Sequence, residues 1–135
     1  MTTQVQTLPR LDPHLVYWLD AIGSLAMGLA LLVSADALTG LAGWTLPSAF
    51  LWTIGLLLLP WAAFNAWIAR MAVPARPLVL GNIAGDIAWV LGSLALIMLH
   101  AANLSPAGMA LLAGQGVAVA AVLALKLFGA RSLLA

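Results

Sequence analysis

The sequence contains no cysteine and no glutamate, and only 7% of its 135 residues are charged. Without cysteine, disulfides, thiolate catalysis and cysteine-ligated metals or clusters are excluded. Soluble domains carry roughly 25% charged residues, so a chain this poor in charge lacks the side chains to cover a surface facing water. A net charge of +1 with scattered basic residues argues against nucleic acid binding. These absences predict a membrane protein.

Catalytic and metal-binding motifs are missing as well. The two histidines, His14 and His100, fall near opposite sides of the predicted membrane and on different helices, so they cannot ligate one haem together. The sequence has no HExxH, no GxSxG and no phosphate-binding loop. We therefore expect no enzymatic activity, no metal and no cofactor.

Long apolar runs account for most of the chain. Asp12-Pro13 and Ser105-Pro106 each combine a capping side chain with a proline at the first helical position, which is typical of a helix start. The length allows about four spanning helices of roughly 20 residues. We predict an all-α, four-transmembrane-helix bundle as a single domain over 1–135, with helices at about 13–34, 47–70, 77–100 and 106–130. Pro60 falls inside the second helix, where it predicts a kink.

The positive charges predict the orientation. The connectors on one side of the predicted helices have no lysine or arginine. All five cations fall on the other side: Arg10, Arg70, Arg76, Lys126 and Arg131. Under the positive-inside rule that side is cytoplasmic. Both termini are therefore expected inside, N-in and C-in.

Polar side chains from all four helices share the cytoplasmic half of the membrane. At 1.5 Å per residue, the two carboxylates and two amides lie about 8 to 14 Å from the inner ends of their helices. The set consists of Asp20, Asn65, Asn82, Asp86 and Lys126. One interpretation is that these groups satisfy one another, with Lys126 snorkelling to the interface. The other is an inward-facing polar pocket in which Asp86, the deepest carboxylate, binds a proton or a cation.

Small residues at four-residue spacing predict helix packing. Gly81 and Gly85 form a GxxxG pair in the third helix, and Ser24 and Gly28 share a face of the first. Such residues let helix backbones approach closely in a membrane. We therefore expect the first and third helices to form the closest pair. Gln115, in the middle of the fourth helix, is expected to form a helix–helix hydrogen bond rather than a substrate contact.

Two segments resemble a family of small, uncharacterised bacterial four-helix membrane proteins. They are GLLLLPWAAFNAWIAR, residues 55–70, and GNIAGDIAWVLGSLA, residues 81–95. In that family an aspartate early in helix 1 and an Asn…Trp pair in helix 3 recur, which match Asp20, Asn82 and Trp89 here. The resemblance implies a multi-pass protein of the bacterial inner (cytoplasmic) membrane and offers no activity to carry over. Small multidrug-resistance transporters have the same number of helices but use a helix 1 glutamate, which this chain lacks.

Two functions follow as hypotheses. The first is a non-enzymatic membrane protein that acts through helix–helix association, as a homo-oligomer or as an accessory subunit with other membrane protein subunits. The alternative is a small transporter or proton-coupled carrier built around Asp86, Asn82 and Asp20. A carrier requires a water-accessible cavity that reaches Asp86, whereas a scaffold should fill that space with side chains.

Overall fold

Four helices make up most of the part of the chain that the structure describes. The computed structural model describes residues 12–134, and the predicted polar tail with Arg10 lies outside them. The helices are α1 (Pro13–Ala42), α2 (Ser48–Arg70), α3 (Arg76–His100) and α4 (Pro106–Leu134). Each is long and apolar enough to cross a membrane. The all-α prediction with four candidate spans is therefore confirmed.

Both predicted helix starts are present. Asp12 caps α1, because its side chain accepts a hydrogen bond of 3.0 Å from the backbone N–H of His14. That bond, together with the His14 ring, holds the pKa of the Asp12 carboxyl below its usual range. At the start of α4, the Ser105 hydroxyl accepts a 2.9 Å hydrogen bond from the backbone N–H of Gly108.

Two helices are longer than the sequence predicts. The expected connector after residue 34 is helical as far as Ala42, with a local break at Ser34, where φ is −119° and ψ is 18°. α1 ends only where Gly43 adopts a left-handed φ of 71° and its N–H bonds to the Thr39 carbonyl, because no earlier residue supplies a helix stop. α4 likewise continues past residue 130 to Leu134, since no proline follows and Arg131 suits a helix C-terminus. The backbone of α2 is helical through Pro60, and the kink there stays a prediction.

The prediction that the first and third helices form the closest pair is wrong. α1 packs most extensively against α2, and α4 packs against both α1 and α3. α2 and α3 approach each other at only a few positions, and the backbones of α1 and α3 do not come close along the described residues. Gly28 lies against Gly55 of α2, where the backbones of the two helices approach closely. Gly81 faces open space, whereas Gly85 lies against the Trp61 ring of α2. Glycine spacing located the small residues but did not identify their partners.

A glycine-to-alanine comparison tests this packing. A Cβ on Gly55 would lie 2.8 Å from the Gly28 carbonyl oxygen and 2.9 Å from the Leu31 Cβ, whereas one on Gly81 would meet nothing within 4 Å. We expect Gly55→Ala to lower the free energy of unfolding by about 1–3 kcal/mol through overpacking. Gly81→Ala should be neutral or stabilise by up to about 1 kcal/mol, because alanine is the better helix former. Unfolding in mixed micelles measures both, and equal effects would contradict this packing.

Contacts between the ends of neighbouring helices place the polar residues of all four helices at the same depth in the bundle. The His14 ring is 2.8 Å from the Met71 carbonyl oxygen, so the start of α1 lies beside the end of α2. At the opposite end of the bundle, the Ser105 N–H donates a 2.8 Å hydrogen bond to the Ala42 carbonyl. This antiparallel arrangement places residues near the start of α1 and α3 level with residues near the end of α2 and α4.

Candidate functional site

The ammonium group of Lys126 is the centre of a buried cluster drawn from all four helices. Its Nζ lies 2.5 Å from Asp20 Oδ2 and 2.6 Å from Asp86 Oδ2. It also donates to Asn82 Oδ1 at 2.7 Å and to Asn65 Oδ1 at 3.0 Å. The five polar side chains singled out in the sequence are therefore in direct contact. We call them the ion cluster: Asp20, Asn65, Asn82, Asp86 and Lys126.

The amides and one hydroxyl fix the geometry of the ion cluster. Asn65 donates a 3.1 Å hydrogen bond to the Trp61 carbonyl one turn earlier in α2 and accepts one of 3.2 Å from Asn82. Ser24 donates at 2.9 Å to Asp20 Oδ1. Because every amide oxygen is thereby held toward Lys126, the cluster is an ordered network and not a loose collection of polar groups.

Lys126 is enclosed. Its exposed fraction is 1%, those of Asn65 and Asn82 are 0%, and that of Asp86 is 2%. The Tyr17 and Trp61 rings face the ammonium, with centroids 4.9 and 5.8 Å from Nζ, which adds cation–π attraction. The snorkelling interpretation of Lys126 is therefore wrong: the side chain points into the bundle, where two carboxylates offset the cost of burying its charge.

The ion cluster is not balanced in charge. Two carboxylates face one ammonium, which leaves one formal negative charge in excess when both acids are ionised. Asp86 bonds to Lys126 through Oδ2 alone, and its Oδ1 takes no hydrogen bond from the described residues. A proton or a cation that reaches Oδ1 would offset this excess charge.

A cavity of about 360 Å³ lies beside the ion cluster, at the centre of the bundle. All four helices line it, and Asp20 and Asp86 form its charged part. Most of the wall is apolar, and Gly23 and Ala118 on that wall are exposed, so the cavity opens to the outside of the bundle. Its volume falls within the range of roughly 300–1,000 Å³ that is typical of ligand pockets.

A second polar group borders the cavity away from the ion cluster. The Trp89 indole donates a 2.7 Å hydrogen bond to Gln115 Oε1, and Gln115 Nε2 donates at 2.8 Å to Ser93 Oγ. The helix–helix hydrogen bond expected of Gln115 is thus present, between α4 and α3. Gln115 and Trp89 also line the cavity, so the same pair holds the helices together and faces the space between them.

The sequence missed the aromatic part of the site. The sequence indicated no role at the site for Tyr17 or Trp61, and it pointed to Trp89 only through the family resemblance. The available signal was spacing: Trp61 precedes Asn65 by one helical turn, and Tyr17 lies three residues before Asp20. Of the residues predicted for packing, Ser24 and Gly85 also line the cavity.

Metal binding has no support from the geometry. Among residues 12–134, no three His, Asp, Glu or Cys side chains are grouped so that they could hold a metal ion. Comparisons with protein-family models, with curated proteins and with solved structures found no match to this chain. The family resemblance of the two segments therefore stays a hypothesis, and function must be argued from the site itself.

Proposed function

We propose that the protein is a small proton-coupled carrier of the bacterial inner membrane, with both termini in the cytoplasm. The supporting observation is the cavity that reaches Asp86, beside a cluster in which two carboxylates face a single ammonium. A purely structural network would be expected to balance its charges and to fill the adjoining space with side chains. In the carrier, one proton binds to a carboxylate of the empty site, which offsets the charge that Lys126 leaves unpaired, and this proton leaves when the cationic substrate binds.

Helix association is the second proposed function. Three glycines have open space beside their backbones, because a Cβ added to Gly81, Gly92 or Gly114 would meet nothing within 4 Å in the described structure. A helix from another chain can approach closely at such positions. In this proposal the protein acts without catalysis, as a homo-oligomer or as an accessory subunit of a larger membrane complex. The two proposals make different predictions for access to the cavity, because only a carrier must open it alternately to both sides of the membrane.

Cysteine labelling tests the carrier directly, because the natural chain has no cysteine. Gly23 is suited to substitution, since it lines the cavity and a Cβ there meets nothing within 4 Å. We expect a membrane-impermeant maleimide to label Gly23→Cys from outside in spheroplasts and from inside in inverted vesicles. The thiol must be in contact with water from each side for both reactions to occur.

Val117→Cys is the matched control for this labelling. Val117 is 70% exposed on the outer surface of α4 and does not line the cavity, so its thiol faces lipid and should remain unlabelled from both sides. Labelling of Gly23→Cys from one side only, or from neither, would contradict the carrier and favour the helix-association proposal.

A further inference from the structure

We infer that the cavity binds a monovalent organic cation with an apolar, aromatic body. The inference rests on the proposed carrier function and names the class of its substrate. It depends on three properties of the cavity: its charge, the chemistry of its wall and the position of its aromatic rings. Each excludes a different class of ligand.

The charge of the site excludes anions and divalent cations. When both are ionised, Asp20 and Asp86 exceed the charge of Lys126 by one, so a ligand with a single positive charge neutralises the site. The one buried cation beside the cavity, Lys126, is already bound by both carboxylates and both amides. An anion would therefore meet a negative field without a free partner among the described residues.

Asp86 supplies the contact point for this charge. Only 2% of the Asp86 surface is exposed, and the residue lines the cavity. Its Oδ1 takes no hydrogen bond from the described residues. In Asp20, by contrast, both oxygens already accept hydrogen bonds, Oδ1 from Ser24 and Oδ2 from Lys126. The ligand cation thus pairs with Asp86 and leaves the Lys126 hydrogen bonds in place.

The wall of the cavity excludes small hydrated ions. The side chains around the carboxylates offer no oxygen ligands to replace the hydration shell of a small ion. They are leucines, valines and a methionine: Leu19, Met27, Leu57, Leu58, Val119 and Val122. An apolar ligand body, in contrast, is stabilised by the surface that it buries against such a wall.

Two tryptophans favour an aromatic or quaternary cation. Trp61 and Trp89 both line the cavity, on α2 and α3. The indole ring attracts an organic cation most strongly of the side-chain rings, and the attraction grows once the cation is desolvated. The Trp61 ring already attracts the Lys126 ammonium at 5.8 Å, so a cation in the cavity lies within the same field.

A pair of isosteric ligands tests the inference on the unaltered protein. Benzyltrimethylammonium carries one positive charge, and neopentylbenzene has the same shape with carbon in place of nitrogen. Binding of each to the purified protein in detergent is measured by calorimetry. We expect the ammonium to bind at least tenfold more tightly than the neutral isostere. Equal affinity, or no binding of the ammonium, would overturn the proposed substrate class without requiring any variant to fold.

Two carboxylate variants locate the site. Asp86→Asn should weaken benzyltrimethylammonium binding at least tenfold, whereas Asp36→Asn should leave it unchanged, because Asp36 is exposed on α1 away from the cavity. Equal affinity in the wild type and Asp86→Asn would overturn the assignment to this cavity. Two-sided labelling of Gly23→Cys without cation binding would retain the carrier and reject the substrate class. Cation binding with one-sided labelling would reject the carrier and retain the binding site.

Discussion

Replacing Lys126 with methionine is expected to lower the free energy of unfolding by about 3–5 kcal/mol, the largest stability effect of any substitution considered. Methionine fills a similar volume, so the loss comes from charge and hydrogen bonding rather than from a void. Without the ammonium, the carboxylates of Asp20 and Asp86 face each other across a buried space, and the amide oxygens of Asn65 and Asn82 lose a donor. Unfolding by increasing the mole fraction of sodium dodecyl sulfate in mixed micelles, followed by circular dichroism, measures the change.

Two comparisons show whether charge causes that loss. Leu125→Met changes the adjacent residue of α4, which is 40% exposed and outside the ion cluster, and should alter stability by less than about 0.5 kcal/mol. The triple variant with Lys126→Met, Asp20→Asn and Asp86→Asn removes every charge from the cluster and should recover most of the lost stability, since neutral replacements of buried ion groups are often tolerated. A triple variant as unstable as Lys126→Met alone would show that shape, not charge, explains the effect.

Asp86→Asn is expected to behave in the opposite way: the protein should fold, and its function should be lost. Asparagine is nearly the same shape as aspartate and keeps an oxygen toward Lys126, while Asp20 remains as the single carboxylate. The cluster then has one negative and one positive charge, so removing Asp86 balances it. Removing either member of an ordinary one-to-one buried pair would leave an uncompensated charge and cost several kcal/mol. We expect unfolding within about 1 kcal/mol of the wild type, together with at least a tenfold loss of cation affinity.

Most of the fold follows from patterns that act locally along the chain. Hydrophobic run length locates the four spans, and the Asp12-Pro13 and Ser105-Pro106 pairs locate two helix starts. The end of α1 was harder to predict, because its sequence beyond residue 34 is apolar without being helix-breaking. Only the backbone of Gly43 shows that the helix stops there.

The members of the ion cluster were predictable, but its arrangement was not. Counting residues from the helix ends puts Asp20, Asn65, Asn82 and Asp86 at similar depths, and polar groups at one depth in a membrane are expected to meet. The direction of Lys126 was not decided by depth, because a long flexible side chain can reach either the interface or the interior. Lys126 points inward because its ammonium pairs with the carboxylates of Asp20 on α1 and Asp86 on α3.

The cavity could not be predicted from the sequence at all. It depends on which helices touch, and glycine spacing suggested the wrong pair, since Gly81 has no neighbour and Gly28 meets Gly55 instead. Close approach of α1 and α2 leaves α2 and α3 with few contacts, and the space enclosed by the four helices follows from that arrangement. Such pairings are set by tertiary packing, which no single helix encodes.

The most direct test of the account is to measure unfolding and benzyltrimethylammonium binding on the same preparations of wild-type protein and Asp86→Asn. A site built for a cation predicts that Asp86→Asn unfolds like the wild type and binds the cation at least tenfold more weakly. A carboxylate that serves only to hold the helices together predicts the reverse, with early unfolding as the main effect. The central claim would be contradicted if Asp86→Asn lowered the free energy of unfolding by several kcal/mol, or if it bound the cation as tightly as the wild type does.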